Sequence, residues 1–342
     1  MTTQKHMDLI DLLKGFAILS VIYLHSGFSD KVSKAVLAPF LFSLAVPIFM
    51  IVSGFTYSVS LSKISDNKWV LKSYYSFSNL YKKLIRILPC YLIVFAAELI
   101  LDPPKIDSFK SVAKIFYYMF TGGYVFPGSY YIPVLIQLIL IFSLLKILYD
   151  KLKAASFIPV AVFQLIYEIL IYYTSFPKQL SRLLIVRYLV LILGGIFIFD
   201  KYKNEKQIKN KWIYILSAIL GAGYIIAIGY FDFTPKVLFT DWASTAMPTA
   251  LYLVPAIMLV LFKFGEKEVK PIFTILGKAS YHIYLIQMIY FGIAVKSIGL
   301  SKPLINFVIG TAFSVSLGLI MYFTENKIRK SIKNKRSKSV LK

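Results

Sequence analysis

Apolar positions run along this chain in long, nearly unbroken stretches, separated by short polar segments in which lysine predominates. A helix needs about 20 mostly apolar residues to cross a bilayer. Ten stretches approach that length, near 9–27, 37–60, 84–102, 130–149, 156–175, 183–200, 212–230, 244–263, 275–297 and 303–325. None alternates with the period of two expected of strands in a membrane barrel. The pattern predicts an all-α, polytopic membrane protein of about ten transmembrane helices. Pro133 interrupts the fourth stretch and Arg187 lies within the sixth. Residues 109–126 are shorter and amphipathic, and read as an interfacial or re-entrant segment.

Composition agrees with this pattern. Apolar residues make up 58% and charged residues 16% of the chain, against about 45–50% and 25% in soluble domains. In a soluble protein a net charge of +23 would suggest nucleic acid. Its distribution gives another reason. With the N-terminus inside, 27 of the 39 basic residues fall on the inner side and ten outside, while Lys14 and Arg187 sit within spans. Basic residues concentrate in cytoplasmic loops, so both termini are expected in the cytoplasm and no nucleic-acid partner is needed. The membrane domain is expected over 1–326, followed by a basic cytoplasmic tail, 327–342. That tail reads either as lying on anionic lipid headgroups or as a disordered, topology-setting segment. The first apolar run is long enough to span and no clean A-x-A site follows it, so no cleavable signal is expected. The lysine-, isoleucine- and tyrosine-rich composition fits an AT-rich bacterial genome, which would make this a multi-pass protein of the bacterial plasma (inner) membrane. Cys90 is the single cysteine, which excludes an intrachain disulfide and cysteine clusters. With only His6, His25 and His282 besides, no metal is expected.

Ionisable residues inside a span are costly, and each is a functional hypothesis. The first span holds Asp8, Asp11, Lys14 and His25. Lys14 and His25 are eleven apart, which returns to within about 20° of one helix face over a rise of roughly 16 Å. Asp11, three residues before Lys14, can pair with it. A cation near the inner end can hold phosphate, and an imidazole farther along can serve as a general base. A coenzyme A thioester has the long, thin shape that would fit between them. The alternatives are a structural histidine at 25 and a lysine at 14 that snorkels to the interface. Lys83 and Arg86 share a face just before the third span, and suit either donor phosphates or an ordinary basic flank. Glu98, Glu168, Arg187 and Glu325 are further buried or cavity-facing candidates, Glu168 and Arg187 being placed to pair. Ser53 precedes Gly54, where another helix can approach closely. Tyr130 and Tyr131 open the fourth span, in the usual aromatic belt.

Five fragments in order resemble the acyltransferase-3 family of membrane acyltransferases. They are MDLIDLLKGFAILSVIYLH, VPIFMIVSGF, KKLIRILPCYL, SYYIPVLIQLILIF and LGKASYHIYLIQ, covering residue 8 to about 290, although 150–270 carries little that is diagnostic. The resemblance implies ten core helices and transfer of an acyl group, usually acetyl, from cytoplasmic acyl-CoA to a hydroxyl of a cell-surface polysaccharide or its lipid-linked precursor. It makes His25 the catalytic histidine, puts Lys14 in place of a first-helix arginine, and gives Lys83 and Arg86 the paired basic positions for the donor. Asp11, Ser53, Tyr131 and Gln287 would be supporting residues. Lys14 and Lys83 keep the charge of the commoner arginine but lose its planar fork, and Gln287 stands where many members have histidine. The expected function is therefore membrane O-acetylation with acetyl-CoA as donor and a carbohydrate as acceptor. A polysaccharide transporter or flippase is the alternative, and a scaffold in a polysaccharide-assembly complex is a third.

Overall fold

The computed structural model describes residues 3–62, 74–121, 130–174, 176–205, 207–233, 243–265, 269–295 and 302–340. Among them the chain is helical, with no strand. In order, the main helices are α1 (Thr3–His25), α2 (Ala45–Ser62), α3 (Phe77–Leu84), α4 (Leu88–Leu101), α5 (Phe109–Thr121), α6 (Tyr131–Leu152), α7 (Phe157–Tyr173), α8 (Leu189–Asn204), α9 (Lys211–Tyr230), α10 (Thr249–Phe264), α11 (Pro271–Lys278), α12 (Ser280–Ile289) and α13 (Pro303–Val340). Each of the ten apolar stretches contains helix.

Five helical runs among the described residues are long and apolar enough to cross a membrane: Ala38–Ser62, Phe77–Leu101, Tyr131–Tyr173, Lys211–Tyr230 and Pro303–Ile332. The other stretches differ for identifiable reasons. Helix α1 carries Asp8, Asp11 and Lys14, which lower its hydropathy. The sixth stretch begins with a 3₁₀ turn, Ile185–Tyr188, so Arg187 precedes α8 and does not lie within it. The ninth is broken into α11 and α12, and α12 runs on into a π-helical turn, Tyr290–Ala294. Pro133 breaks nothing, because it is the third residue of α6, where its missing N–H would have no helical partner. Residues 122–126 of the amphipathic segment lie outside the described residues, and its remainder forms α5. The boundary expected at 326 falls inside α13, which continues to Val340. Lysine and arginine are good helix formers, and Arg329 reaches back one turn to Glu325, so nothing stops the helix there.

Helix α8 is the central rod, with every residue from Leu189 to Ile198 buried; a helix apolar on all sides belongs in the interior. It packs most closely on α2, while α1 packs on α11, α9 on α10 and α12 on α13. The α2–α8 crossing depends on two glycines. A β carbon on Gly54 would run into the Ile192 carbonyl, and one on Gly195 into the Ile51 carbonyl. In an apolar medium such close approach supplies the dispersion contact that holds helices together. Gly277 of α11 meets the Asp11 carbonyl of α1 in the same way. By contrast, α9 turns Trp212, Leu216, Ile219 and Leu220 outward, as a lipid-facing helix does.

Two substitutions with opposite expected signs, one at the crossing and one on α9 away from it, test this dependence on glycine. Gly195→Ala overpacks the crossing and should cost about 1–3 kcal/mol, read as a lower unfolding temperature in detergent. Gly223→Ala, where a β carbon meets nothing within 4 Å, should be neutral or stabilise by about 0.5–1 kcal/mol through helix propensity.

Candidate active site

A cavity of about 1010 Å³ lies among α1, α2, α6, α12 and α13, at the upper end of the range for small-molecule sites. Periodicity decides which side chains reach it. Along α2, Phe49, Ser53, Thr56, Tyr57 and Ser60 face the cavity, recurring at the three- and four-residue spacing of one helix face. Gly54, Phe55 and Ser58 of the same helix are buried. Ser53 therefore stands on the cavity wall because its neighbour Gly54 is committed to α8.

Helix α1 contributes Lys14 and His25, so the cavity follows one stripe of α1 for eleven residues, roughly 16 Å of rise. Lys14 Nζ donates to Asp11 Oδ1 at 2.9 Å. Asp11 is itself 5% exposed and holds the lysine from behind. The half-buried His25 lies with its ring centroid 5.9 Å from that of Phe291. Lys83 at the end of α3 and Arg86 in the turn before α4 both line the cavity. Lys83 Nζ sits 3.4 Å from the Tyr74 ring centroid and 5.4 Å from that of Tyr57. It is thus held by aromatic faces, and among the described residues neither Lys83 nor Arg86 is paired with a carboxylate. Lys278 and Arg329 add two more cations to the lining. Lys278 lies 3.9 Å from Asp8, and Arg329 is bonded to Glu325 and to the Ile85 carbonyl.

Ser53 and Tyr131 both line the wall, and the Tyr131 ring lies 5.5 Å from that of Tyr284. Gln287 is not part of the lining. It is fully buried one turn beyond Tyr284, and neither of its amide atoms has a hydrogen-bond partner among the described residues. Glu168 and Arg187, expected to pair, lie close enough for their charges to interact but share no hydrogen bond. Arg187 Nε donates to Thr245 Oγ1 at 3.0 Å, while both carboxylate oxygens of Glu168 are buried without a hydrogen-bond partner. Neither residue lines the cavity.

Several lining residues were not singled out from the sequence. Arg182 and Tyr57 look like ordinary loop and belt residues there, and only the packing brings them to the cavity. His282 carried a usable signal, since it is an ionisable residue inside the expected ninth span. Its surroundings were not legible. His282 Nε2 lies 2.7 Å from Glu325 Oε2 and 3.7 Å from Cys90 Sγ, joining α12, α13 and α4. Tyr281 ties the same corner by donating to the Ile87 carbonyl at 2.8 Å.

The site therefore combines a basic mouth, an imidazole farther along the same helix, and hydroxyl-bearing walls between helices. That arrangement can bind an anionic group at one place and move a proton at another. In comparison with known proteins, a family model described as an acyltransferase domain matches residues 7–323. No curated protein and no solved structure matches the chain. With most of its length inside that match and its helices apolar, the chain belongs to the acyltransferase-3 family of membrane acyltransferases.

Proposed function

We propose that the protein is a ten-span O-acyltransferase of the bacterial plasma membrane, with both termini in the cytoplasm. It would move an acetyl group from cytoplasmic acetyl-CoA to a hydroxyl of a cell-surface polysaccharide or its lipid-linked precursor. One observation carries the reading: a single cavity is lined by Lys14 and His25 of one helix and by Lys83 and Arg86 at the junction of α3 and α4. The basic α13 extension then lies along anionic headgroups at the inner surface.

In this reading Lys14, Lys83 and Arg86 hold the phosphates of the donor, Arg86 offering its fork and the lysines point charges. Lys83, resting on tyrosine rings, keeps its charge available to a phosphate. The acyl-bearing arm follows the α1 stripe toward His25. His25 takes the acceptor hydroxyl's proton as the oxygen attacks the thioester carbonyl. The new C–O bond forms, the C–S bond breaks, and the leaving sulfur takes a proton back from the imidazolium. Ser53 and Tyr131 supply hydroxyl donors on the wall beside this path. Asp11 fixes Lys14, and Gln287 supports the packing of α12 from outside the cavity.

Two predictions follow from dividing the roles. His25→Ala should lower acetyl transfer by purified protein about 10²–10⁴-fold with an unchanged unfolding temperature; retained turnover would remove the base assignment. Lys83→Ala and Arg86→Ala should each weaken acetyl-CoA binding about 10–100-fold, the range for a hydrogen bond to a charged group. Calorimetry in nanodiscs measures that directly. A folded wild type that neither binds nor turns over acyl-CoA would replace this reading with a transporter of polysaccharide or lipid-linked sugar.

A further inference from the structure

Cys90 of α4, His282 of α12 and Glu325 of α13 bring one sulfur, one ring nitrogen and one carboxylate oxygen within 4.8 Å of one another. Cys90 and His282 are 4% and 5% exposed, so this is an interior cluster and not a chance meeting of surface groups. The thiol and the carboxylate both address the same ring nitrogen, Nε2. A nucleophile–base–acid relay places them on opposite nitrogens, and here Nδ1 has no hydrogen-bond partner. Convergence of sulfur, nitrogen and oxygen around one point is instead the donor set of a borderline-soft divalent cation.

We propose that Cys90, His282 and Glu325 form a three-ligand zinc site beside the basic mouth of the cavity. Zinc bonds of about 2.0–2.3 Å put tetrahedral ligand atoms about 3.3–3.8 Å apart. The 3.7 Å between Cys90 Sγ and His282 Nε2 already meets this. The 2.7 Å between Nε2 and Glu325 Oε2 opens by about 0.6 Å to admit the ion, a rotamer-scale adjustment of a half-buried glutamate. Most of the charge is compensated. A thiolate and a carboxylate offset the two charges of the cation, and the one positive charge that Arg329 adds through Glu325 sits on the cavity wall and not in the apolar interior. The Cys90 thiol proton is released to water as zinc binds. Arg329 occupies Glu325 Oε1, which orients the carboxylate and leaves Oε2 for the metal. His282 and Glu325 line the cavity, so the fourth position opens toward it and takes water. The ion would clasp α4, α12 and α13 at the place where the donor-binding cations gather.

The test uses the full-length protein in nanodiscs and reads metal binding, independently of acyl transfer. Zinc titration followed by elemental analysis should give one ion per chain and a higher unfolding temperature. Cobalt(II) in its place should show a thiolate-to-metal charge-transfer band. Cys90→Ser should abolish that band and weaken zinc binding at least about tenfold, as should Glu325→Gln. Wild-type protein that takes up neither zinc nor cobalt at equimolar metal would overturn the site, as would binding unchanged in Cys90→Ser. The wild-type cobalt spectrum decides the matter even if a variant fails to fold.

Discussion

An ion inside an apolar helix bundle must be neutralised, hydrogen-bonded or kept in touch with water, because the unpaired alternative costs several kcal/mol. That constraint organises this protein more than any single contact. Arg187 is fully buried and reaches Thr245. Lys14 is backed by Asp11, Lys83 lies on tyrosine faces, and Arg329 is held by Glu325. The last three also open onto one cavity, so their remaining hydration is shared. Gathering the cations at a common water-accessible place is cheaper than scattering them along separate helices, and it creates a concentrated positive field as a consequence.

The cavity exists because part of the bundle is packed unusually tightly. With glycines at both positions of the α2–α8 crossing, the two backbones meet, and the side chains of α2 divide between two duties. One face is sealed against α8; the other carries Ser53, Thr56 and Tyr57 into the cavity. Gly277 sets α1 against α11 in the same way, fixing Asp11 and hence the root of Lys14. Rigid close packing behind the wall is what allows a polar surface in front of it.

Much of this was legible in the sequence, for reasons that differ by feature. The helices follow from apolar runs too long to be anything else in lipid. The Lys14–His25 stripe follows from helix geometry alone, and Gly54 announced its close approach by having no side chain. What sequence could not supply was anything requiring three helices at once. Cys90, His282 and Glu325 are separated by 192 and 43 residues, so no spacing rule links them. Glu168 makes no hydrogen bond to Arg187 because a 3₁₀ turn at Ile185–Tyr188 sets Arg187 before the helix and its Nε against Thr245. Gln287 resembles a site residue by position, but the neighbours of α12 cover it completely.

Lys14 and His25 are fixed on a single continuous helix, and that restricts how the proposed chemistry can be arranged. Neither group can approach the other without unfolding α1, so the separation of roughly 16 Å has to be bridged by something that binds. A flexible thioester arm anchored by its phosphates meets that need, with the carbonyl delivered to the imidazole and the charges left at the mouth. An acyl-cysteine intermediate on Cys90 does not, because Cys90 is buried and is not among the residues that line the cavity. Cys90 is also directed at His282 Nε2 beside Glu325, in a position that suits coordination better than attack. Direct transfer at His25, with the mouth reserved for binding, is the arrangement that the rigid first helix favours.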